Sequence, residues 1–531
     1  MRNLRTYARF ALRLRRFLTD TITLEDSLAT VRERMQHREA AFLRLLEKGV
    51  FGYGRSPYRA LLALARVELG DIRVMLRDRG LEGTLLALRE AGVYVSFEEF
   101  KGREPMVRHG REISAQPRDF DNPWLHHYYR ATSGGSTGAG TRASTDLDHL
   151  AAEAPHYLLT DHAHGILGLP TGTWLGVLPD SSGTNFALRH AHYGHVISKW
   201  FSYHAAGQPT PTLHFRAATG YIHVMAGLCG VRLPRPEPVR LDQASIVARW
   251  LAGTLETHGA AVLVTTVSRA LRVSLAAQAA GLNLEGATMI GTAEPATAAK
   301  VSGITRCGAR WIPAYAFVEA GIVGFGCARP RAPSDVHLFR DMLAVVTFPR
   351  HVPEANMTVD AFNFTSLLPT APKLLVNVEM DDYGVLQTRS CGCPMERDGL
   401  TAHLQDIYSF RKLTGEGVTL VGSDMVRVLE EVLPSRFGGS PLDYQLQEEE
   451  DERGFTRLCV LVSPGVGMVD DTEVIRAVLD GLARGGFATD LARATWLAAG
   501  SLLVRRAEPV WTARGKLLPL HNRAGHRHST A

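Results

Sequence analysis

Thr132-Ser-Gly-Gly-Ser-Thr-Gly-Ala-Gly-Thr-Arg142 is a run of eleven residues in which all but Ala139 and Arg142 are Ser, Thr or Gly. Glycines such as Gly134 and Gly138 let successive backbone N–H groups turn toward one point. The hydroxyls of Thr132, Ser133, Ser136 and Thr137 add donors, and Arg142 adds a cation, so the run can cradle phosphate oxygens. No Gly-Lys-Ser/Thr closes it, which separates it from the Walker-type phosphate loop. The same composition also serves as a mobile linker. The neighbouring residues therefore have to decide between the two readings.

At 531 residues the chain is too long for one core and divides into two or more domains. A 45% hydrophobic and 21% charged composition is that of a globular protein. No apolar run approaches the length of a membrane span, which argues against a bilayer-crossing role. The net charge of +5 comes from 59 basic and 54 acidic residues that are interspersed, so nucleic acid is a poor partner. Six cysteines in so long a chain make no disulfide scaffold and point to a reducing, cytoplasmic setting. Cys229, Cys307 and Cys459 lie singly and read as packed thiols.

Near the amino end, Arg2, Arg5, Arg9, Arg13 and Arg16 recur on one helical face, with Leu4, Tyr7, Ala11, Leu14 and Leu18 on another. The arginines interrupt the apolar centre that a secretory signal needs. A helix packed on the body with a solvated basic face explains the pattern, and a membrane-surface or partner-binding helix is the alternative.

Residues 22–96 carry helical patterns with short breaks and predict a helical N-terminal layer within residues 1–115. From about 125 to 390, strand-like runs such as Trp174-Leu-Gly-Val-Leu178 and Ala261-Val-Leu-Val-Thr-Thr266 alternate with Ala-rich helices such as 269–280. That alternation predicts α/β architecture, a large domain over 1–408 with helices covering sheets. In such sheets ligands gather at strand ends. Beyond 408 the texture changes to a small α+β unit over 409–531. It comprises a helix over 424–433, a strand from Tyr444, an acidic turn over 448–452, a strand over 456–462, a helix over 471–484 and a polar, disordered tail.

Further motifs follow the Ser/Thr/Gly run in order: Gly291-Thr-Ala-Glu-Pro295, Tyr315-Ala-Phe-Val-Glu319, Asp382 within Asn377-Val-Glu-Met-Asp-Asp-Tyr-Gly384, and Thr512-Ala-Arg-Gly-Lys516. Together they resemble the adenylate-forming superfamily of acyl-CoA ligases, specifically its phenylacetate–CoA ligase branch. The resemblance implies ATP-dependent adenylation of a small carboxylic acid, with release of pyrophosphate and transfer of the acyl group to coenzyme A. It also implies a small domain that pivots as a lid. Thr132, Ser133, Gly134, Ser136, Thr137, Gly138 and Arg142 would meet phosphate, and Gly291, Glu294 and Pro295 would border the nucleotide. Tyr315 would stack on adenine, Asp382 would accept from the ribose hydroxyls, and Glu319 would hold Mg2+. Lys516 would place its ammonium between carboxylate and phosphate. Outside the resemblance, Lys516 reads as a surface charge, Glu319 as a paired or solvated one, Tyr315 as core and Asp382 as a turn residue.

The chain also departs from the pattern. Val318 stands where relatives carry Thr or Ser, and His403-Leu-Gln-Asp406 replaces the Gly-Arg that precedes the hinge in many of them. These changes leave two alternatives open. One is an adenylating enzyme whose acceptor is a protein thiol, a carrier arm or an amine, as in phenazine antibiotic pathways. The other is a catalytically weakened nucleotide-binding relative.

Cys327, His337, Cys391 and Cys393 form a separate set of three sulfurs and one imidazole, the composition of a closed tetrahedral zinc site. Some members of the branch hold zinc with a similar set. Reduced, metal-free thiols are the alternative. The acid itself is expected to sit near Asp180 to Tyr193 and the segment before Gly291.

Overall fold

The computed structural model describes residues 2–125, 128–132, 135–136, 142–178, 180–203, 213–293, 296, 298–352, 357–409, 413–415, 418–420, 428–439, 443–450, 456–482, 496, 501–510 and 520–522. The fold is α/β, as the alternation of patterns predicts. Its largest element is a twelve-stranded sheet. One half is parallel, running through Arg310–Phe317, Ala287–Thr292, Ala261–Thr266, Thr171–Trp174, Lys199–Tyr203 and Glu237–Val239. The other half is antiparallel, running through Gly321–Gly326, Val336–Leu338, Ala402–Ser409, Val378–Thr388, Met357–Ser366 and Leu343–Val352. Arg310–Phe317 is the seam, parallel to Ala287–Thr292 on one side and antiparallel to Gly321–Gly326 on the other.

The strand Ala261–Thr266 is buried along its whole length, as expected where helices cover both faces of a parallel sheet. Helices Ala244–His258 and Val267–Ala279 bury Val247, Leu251, Leu271 and Val273 against the parallel half. Helices of the N-terminal layer, among them Pro57–Leu64 and Leu69–Glu90, bury Leu61, Leu76 and Leu85 against the antiparallel half.

The first helix, Arg2–Thr19, is packed on the body. Phe10, Leu14, Phe17 and Leu18 are buried in the core it shares with helices Leu147–Ala163 and Ser182–His192. Arg13 pairs with Asp148, and His192 stacks on Phe17 with ring centroids 4.3 Å apart. Burial of four large side chains is worth about 6 to 12 kcal/mol of transfer free energy before ordering costs. No helix among the described residues is long and apolar enough to cross a membrane.

A second sheet of four strands, ordered Leu502–Arg506, Thr456–Val462, Tyr444–Glu450 and Leu520–Asn522, has a core of its own with helix Asp471–Leu482. Three expectations are corrected in detail. Glu448 to Glu450 continue the strand from Tyr444 rather than turning, and Glu449 is held by Arg505 of the same sheet at 2.6 Å. The helix expected over 424–433 is described from Val428 as a π-turn and continues as Leu433–Phe437. The strand expected from Trp174 ends there instead, where the Gly176 N–H donates to Ser182 Oγ at 3.1 Å and the chain leads into the next helix.

Candidate active site and metal centre

The described residues enclose a cavity of about 270 Å³ at the ends of the parallel strands, between the sheet and helices Leu147–Ala163 and Ser182–His192. Its walls are mostly apolar, including Leu150, Ile166, Phe186, Val264, Ile290 and Phe325. Asp180, Ser182, Asn185 and Arg189 also line it, and they come from the segment expected to meet the acid.

Glu153 is the centre of a buried polar group beside this cavity. Glu153 accepts the Ile322 N–H at 2.7 Å and Arg189 Nη1 at 2.5 Å, with His149 Nε2 at 3.5 Å. Burial alone would raise the Glu153 carboxyl; Arg189, His149 and the Ile322 N–H reverse this and hold it at about 2. The Arg189 guanidinium also lies 4.4 Å from the centre of the Tyr157 ring. Deeper along helix Leu147–Ala163, Asp161 accepts from Tyr193 Oη at 2.7 Å, and burial pushes its carboxyl up to about 7 against that hydrogen bond. Sequence reading missed His149, Glu153 and Asp161. Their spacing places them along one helix, and that pattern was the available signal.

Two motif segments reach the same cavity. Thr292 and Ala293 line it from the end of one strand, and Ala316, Phe317 and Val318 from the end of the next. Gly291 sits under the Trp311 indole, where an added Cβ would lie 1.9 Å from a ring carbon, so packing demands glycine there. Tyr315 Oη donates to Asp382 Oδ2 at 2.7 Å, and burial with Asp382 beside it pushes the phenol well above its ordinary range. Asp382 is no turn residue: it lies within Val378–Thr388 and pairs with Ser409. The turn-like sequence appears as an irregularity, with Asp381 at φ 63° and a shift in pairing after Tyr383. Glu319 is buried, and its Oε1 takes Lys101 Nζ at 2.7 Å, a partner that sequence reading did not find.

Thr132 ends the strand Tyr128–Thr132, Gly135–Ser136 pairs in parallel with Val418–Leu420, and Arg142 opens the strand Arg142–Asp146. Ser133, Gly134, Thr137, Gly138, Glu294, Pro295 and Lys516 lie outside the described residues, as do the side chains of Thr132, Ser136 and Arg142.

Cys327, His337, Cys391 and Cys393 come together. Their donor atoms lie within 4.8 Å of one another, and Cys327, His337 and Cys393 are buried. His337 Nε2 is 3.1 Å from Cys393 Sγ and 3.8 Å from Cys391 Sγ. His337 Nδ1–H donates to the Leu400 carbonyl at 2.6 Å, which leaves the Nε2 lone pair facing the sulfurs. The Cys327 thiol, with His337 alongside, holds Cys393 far below the usual thiol range in spite of burial. The tight Cys-x-Cys spacing works because Gly392 adopts φ 70° and the Cys391 N–H donates to Glu396 at 2.8 Å. Behind the cluster, the His403 ring lies 4.1 Å from that of His337 and its Nδ1 meets Asp335 at 2.8 Å. All these features suit a four-coordinate ion of the zinc type with no open position.

In three dimensions the chain is similar to an amide bond synthetase from Marinactinospora thermotolerans, at 11% identity over 78% of this chain and 71% of that one, with a TM-score of 0.40. It is similar to an AMP-forming acyl-CoA synthetase/AMP-acid ligase II-like protein from Dyadobacter fermentans, at 12% identity over 84% and 95% of the two chains and a TM-score of 0.28. An anthranilate CoA ligase in complex with anthranoyl-AMP shares 12% identity over 82% and 74%, with a TM-score of 0.34. No protein-family model and no curated protein matches the chain. At these identities and scores the three likenesses carry no weight for its chemistry, which rests on the residues themselves.

Proposed function

We propose that the protein is an ATP-dependent carboxylate ligase that forms an acyl- or aryl-adenylate and passes the acyl group to a thiol, coenzyme A being the favoured acceptor. The observation that carries this reading is that Thr292–Ala293 and Ala316–Val318, from two separate motifs, line one apolar cavity at strand ends, with Tyr315 hydrogen-bonded to Asp382 of a third. A cavity of that size and lining takes the organic part of a small acid.

A carboxylate is a poor electrophile with no usable leaving group, and adenylation corrects both faults. The carboxylate oxygen attacks the α-phosphorus of ATP, the bond to pyrophosphate breaks, and the acid becomes a mixed anhydride. A thiolate then adds to its carbonyl and AMP leaves. The protein's share is positioning and charge compensation. Asp382, oriented by the Tyr315 hydroxyl, accepts from the ribose hydroxyls, while Lys516 compensates the charge of the approaching carboxylate and phosphate. Thr132, Ser133, Ser136, Thr137 and Arg142 meet the phosphates. Glu319 is a hard-oxygen ligand suited to Mg2+, which would neutralise phosphate charge when bound, and Lys101 already shares that carboxylate. Cys327, His337, Cys391 and Cys393 would hold a structural zinc ion.

The test is substrate-dependent exchange of labelled pyrophosphate into ATP across a panel of carboxylic acids, with Lys516→Ala alongside. The wild type should exchange with at least one class of acid. The variant should lose about a hundredfold or more in rate with little change in ATP binding, the mark of a cation acting in the transition state. Wild-type exchange in Lys516→Ala would remove that residue from the mechanism, and no exchange with any acid would remove the function.

A further inference from the structure

The floor of the cavity holds a second constellation that the adenylation chemistry does not use. Asp161, His190 and His195 present one carboxylate oxygen and two ring nitrogens within 4.8 Å of one another. Asp161 and His190 are buried and line the cavity itself.

Each imidazole has one ring nitrogen pinned by a backbone carbonyl, which leaves the other with its lone pair. His190 Nδ1 lies 3.2 Å from the Phe186 carbonyl one helical turn back, so Nδ1 carries the proton and Nε2 is the lone-pair nitrogen. That Nε2 is 3.8 Å from Asp161 Oδ2. His195 is pinned the opposite way round: its Nε2 donates to the Leu169 carbonyl at 3.0 Å, and its Nδ1 is buried without a hydrogen-bond partner. Asp161 is in turn oriented by the Tyr193 hydroxyl at 2.7 Å. Backbone carbonyls on the distal ring nitrogens and a hydroxyl on the carboxylate are the outer contacts that hold metal ligands in place.

We propose that Asp161, His190 and His195 bind a divalent first-row transition ion, zinc or a close relative, at the floor of the cavity. Donors about 2.1 Å from such an ion lie about 3.4 Å apart in a tetrahedral shell, so the Asp161–His190 pair at 3.8 Å closes by about 0.4 Å and no pair of the set, all within 4.8 Å, by more than about 1.4 Å. Two imidazoles and a carboxylate suit zinc, iron, cobalt or nickel and not the oxygen-only shells of magnesium or calcium. Three protein ligands leave at least one position open. Because Asp161 and His190 line the cavity, that position faces it and takes an oxygen or nitrogen donor from water or from the bound molecule. This centre is distinct from the closed cysteine set and does not depend on the adenylation reading.

The test is metal content of the full-length protein, purified without a tag, dialysed against zinc and then against metal-free buffer, with a parallel cobalt loading. The wild type should retain two ions per chain, and His195→Ala and His195→Gln should each retain one. His195 is only partly buried, so these two variants disturb packing least. In the cobalt-loaded wild type, intense thiolate charge-transfer bands mark the cysteine set, and weaker visible bands that vanish in His195→Gln mark the second centre. One retained ion in the wild type that is lost in Cys393→Ser overturns the proposal. So does a His195→Gln variant, folded by circular dichroism, that keeps the wild-type stoichiometry and cobalt spectrum.

Discussion

Glu153 shows how far one buried charge depends on its setting. Its carboxyl is held at about 2 in the fold, against roughly 4.3 for an unstructured chain. A depressed folded value means stability fully present above the unfolded value and lost as pH falls through the folded one. The contribution of about 3 kcal/mol should therefore fade between pH about 4.5 and 2. Denaturant titrations across that range should show this acid limb in the wild type and its absence in Glu153→Gln. The variant should also be weaker by about 3 to 5 kcal/mol at neutral pH, because Arg189 is left buried without its carboxylate. A second pair of residues separates binding from rate. Asp382→Asn should weaken ATP binding by about 1–3 kcal/mol, since an amide offers one acceptor and a misplaced donor, and added magnesium should not restore it. Glu319→Gln should instead slow adenylation and respond in part to excess magnesium. Calorimetry run beside exchange rates distinguishes the two; unchanged ATP affinity in Asp382→Asn would move the ribose contact to another residue, Asp381 first. These candidate residues were visible in the sequence because motifs preserve order. Lys101 was not: it lies over two hundred positions from Glu319, and only the fold brings them together.

At the scale of elements, periodicity made the helices legible, because a face that must be buried repeats at a fixed interval, and the strand Ala261–Thr266 was legible as a short unbroken run rich in β-branched residues. It failed where tertiary contacts overrule local preference. Asp381-Asp-Tyr-Gly384 has the composition of a turn, yet a neighbouring strand on each side draws it into Val378–Thr388 at the cost of a positive φ at Asp381. Glu448 to Glu450 look like a solvated turn until Arg505 supplies a partner from the same sheet. Gly291 read as a motif glycine and has a packing reason too. Gly291→Ala should force the Trp311 indole aside, lowering stability by about 1–3 kcal/mol and disturbing Thr292 and Ala293 at the cavity. Thermal melts and exchange rates should fall together in that variant. A melt equal to the wild type's would show that the indole yields freely.

For the molecule as a whole, the sequence predicted α/β layers and the four residues of the cysteine–histidine cluster, but it said nothing of the seam that joins a parallel half-sheet to an antiparallel one. Strand order across that seam is a long-range property: Ala402–Ser409 pairs with Val336–Leu338 across more than sixty residues, which no local pattern encodes. The cluster lies in the antiparallel half, so the ion proposed there should contribute to the stability of that half as a unit. One zinc per chain should be lost in Cys391→Ser or His337→Ala, with a lower melting temperature in each. Calorimetric scans with and without a strong chelator should show the same loss in the wild type. An unchanged scan in chelator, together with no metal at the cysteine set, would leave these residues as packed thiols.

The order in which those ligands leave the ribosome has a consequence of its own. Cys327 and His337 are made first and amount to half a site, and Cys391 and Cys393 follow more than fifty residues later. At about 5–20 residues per second, the first pair waits several seconds for the second. During that interval Met357–Ser366 and Val378–Thr388 are made and can seek their neighbours with nothing fastening the ends of the segment. Capture of the proposed ion would thus be a late step in biogenesis, and a cell short of zinc would then release chains whose antiparallel half has been assembled but never latched.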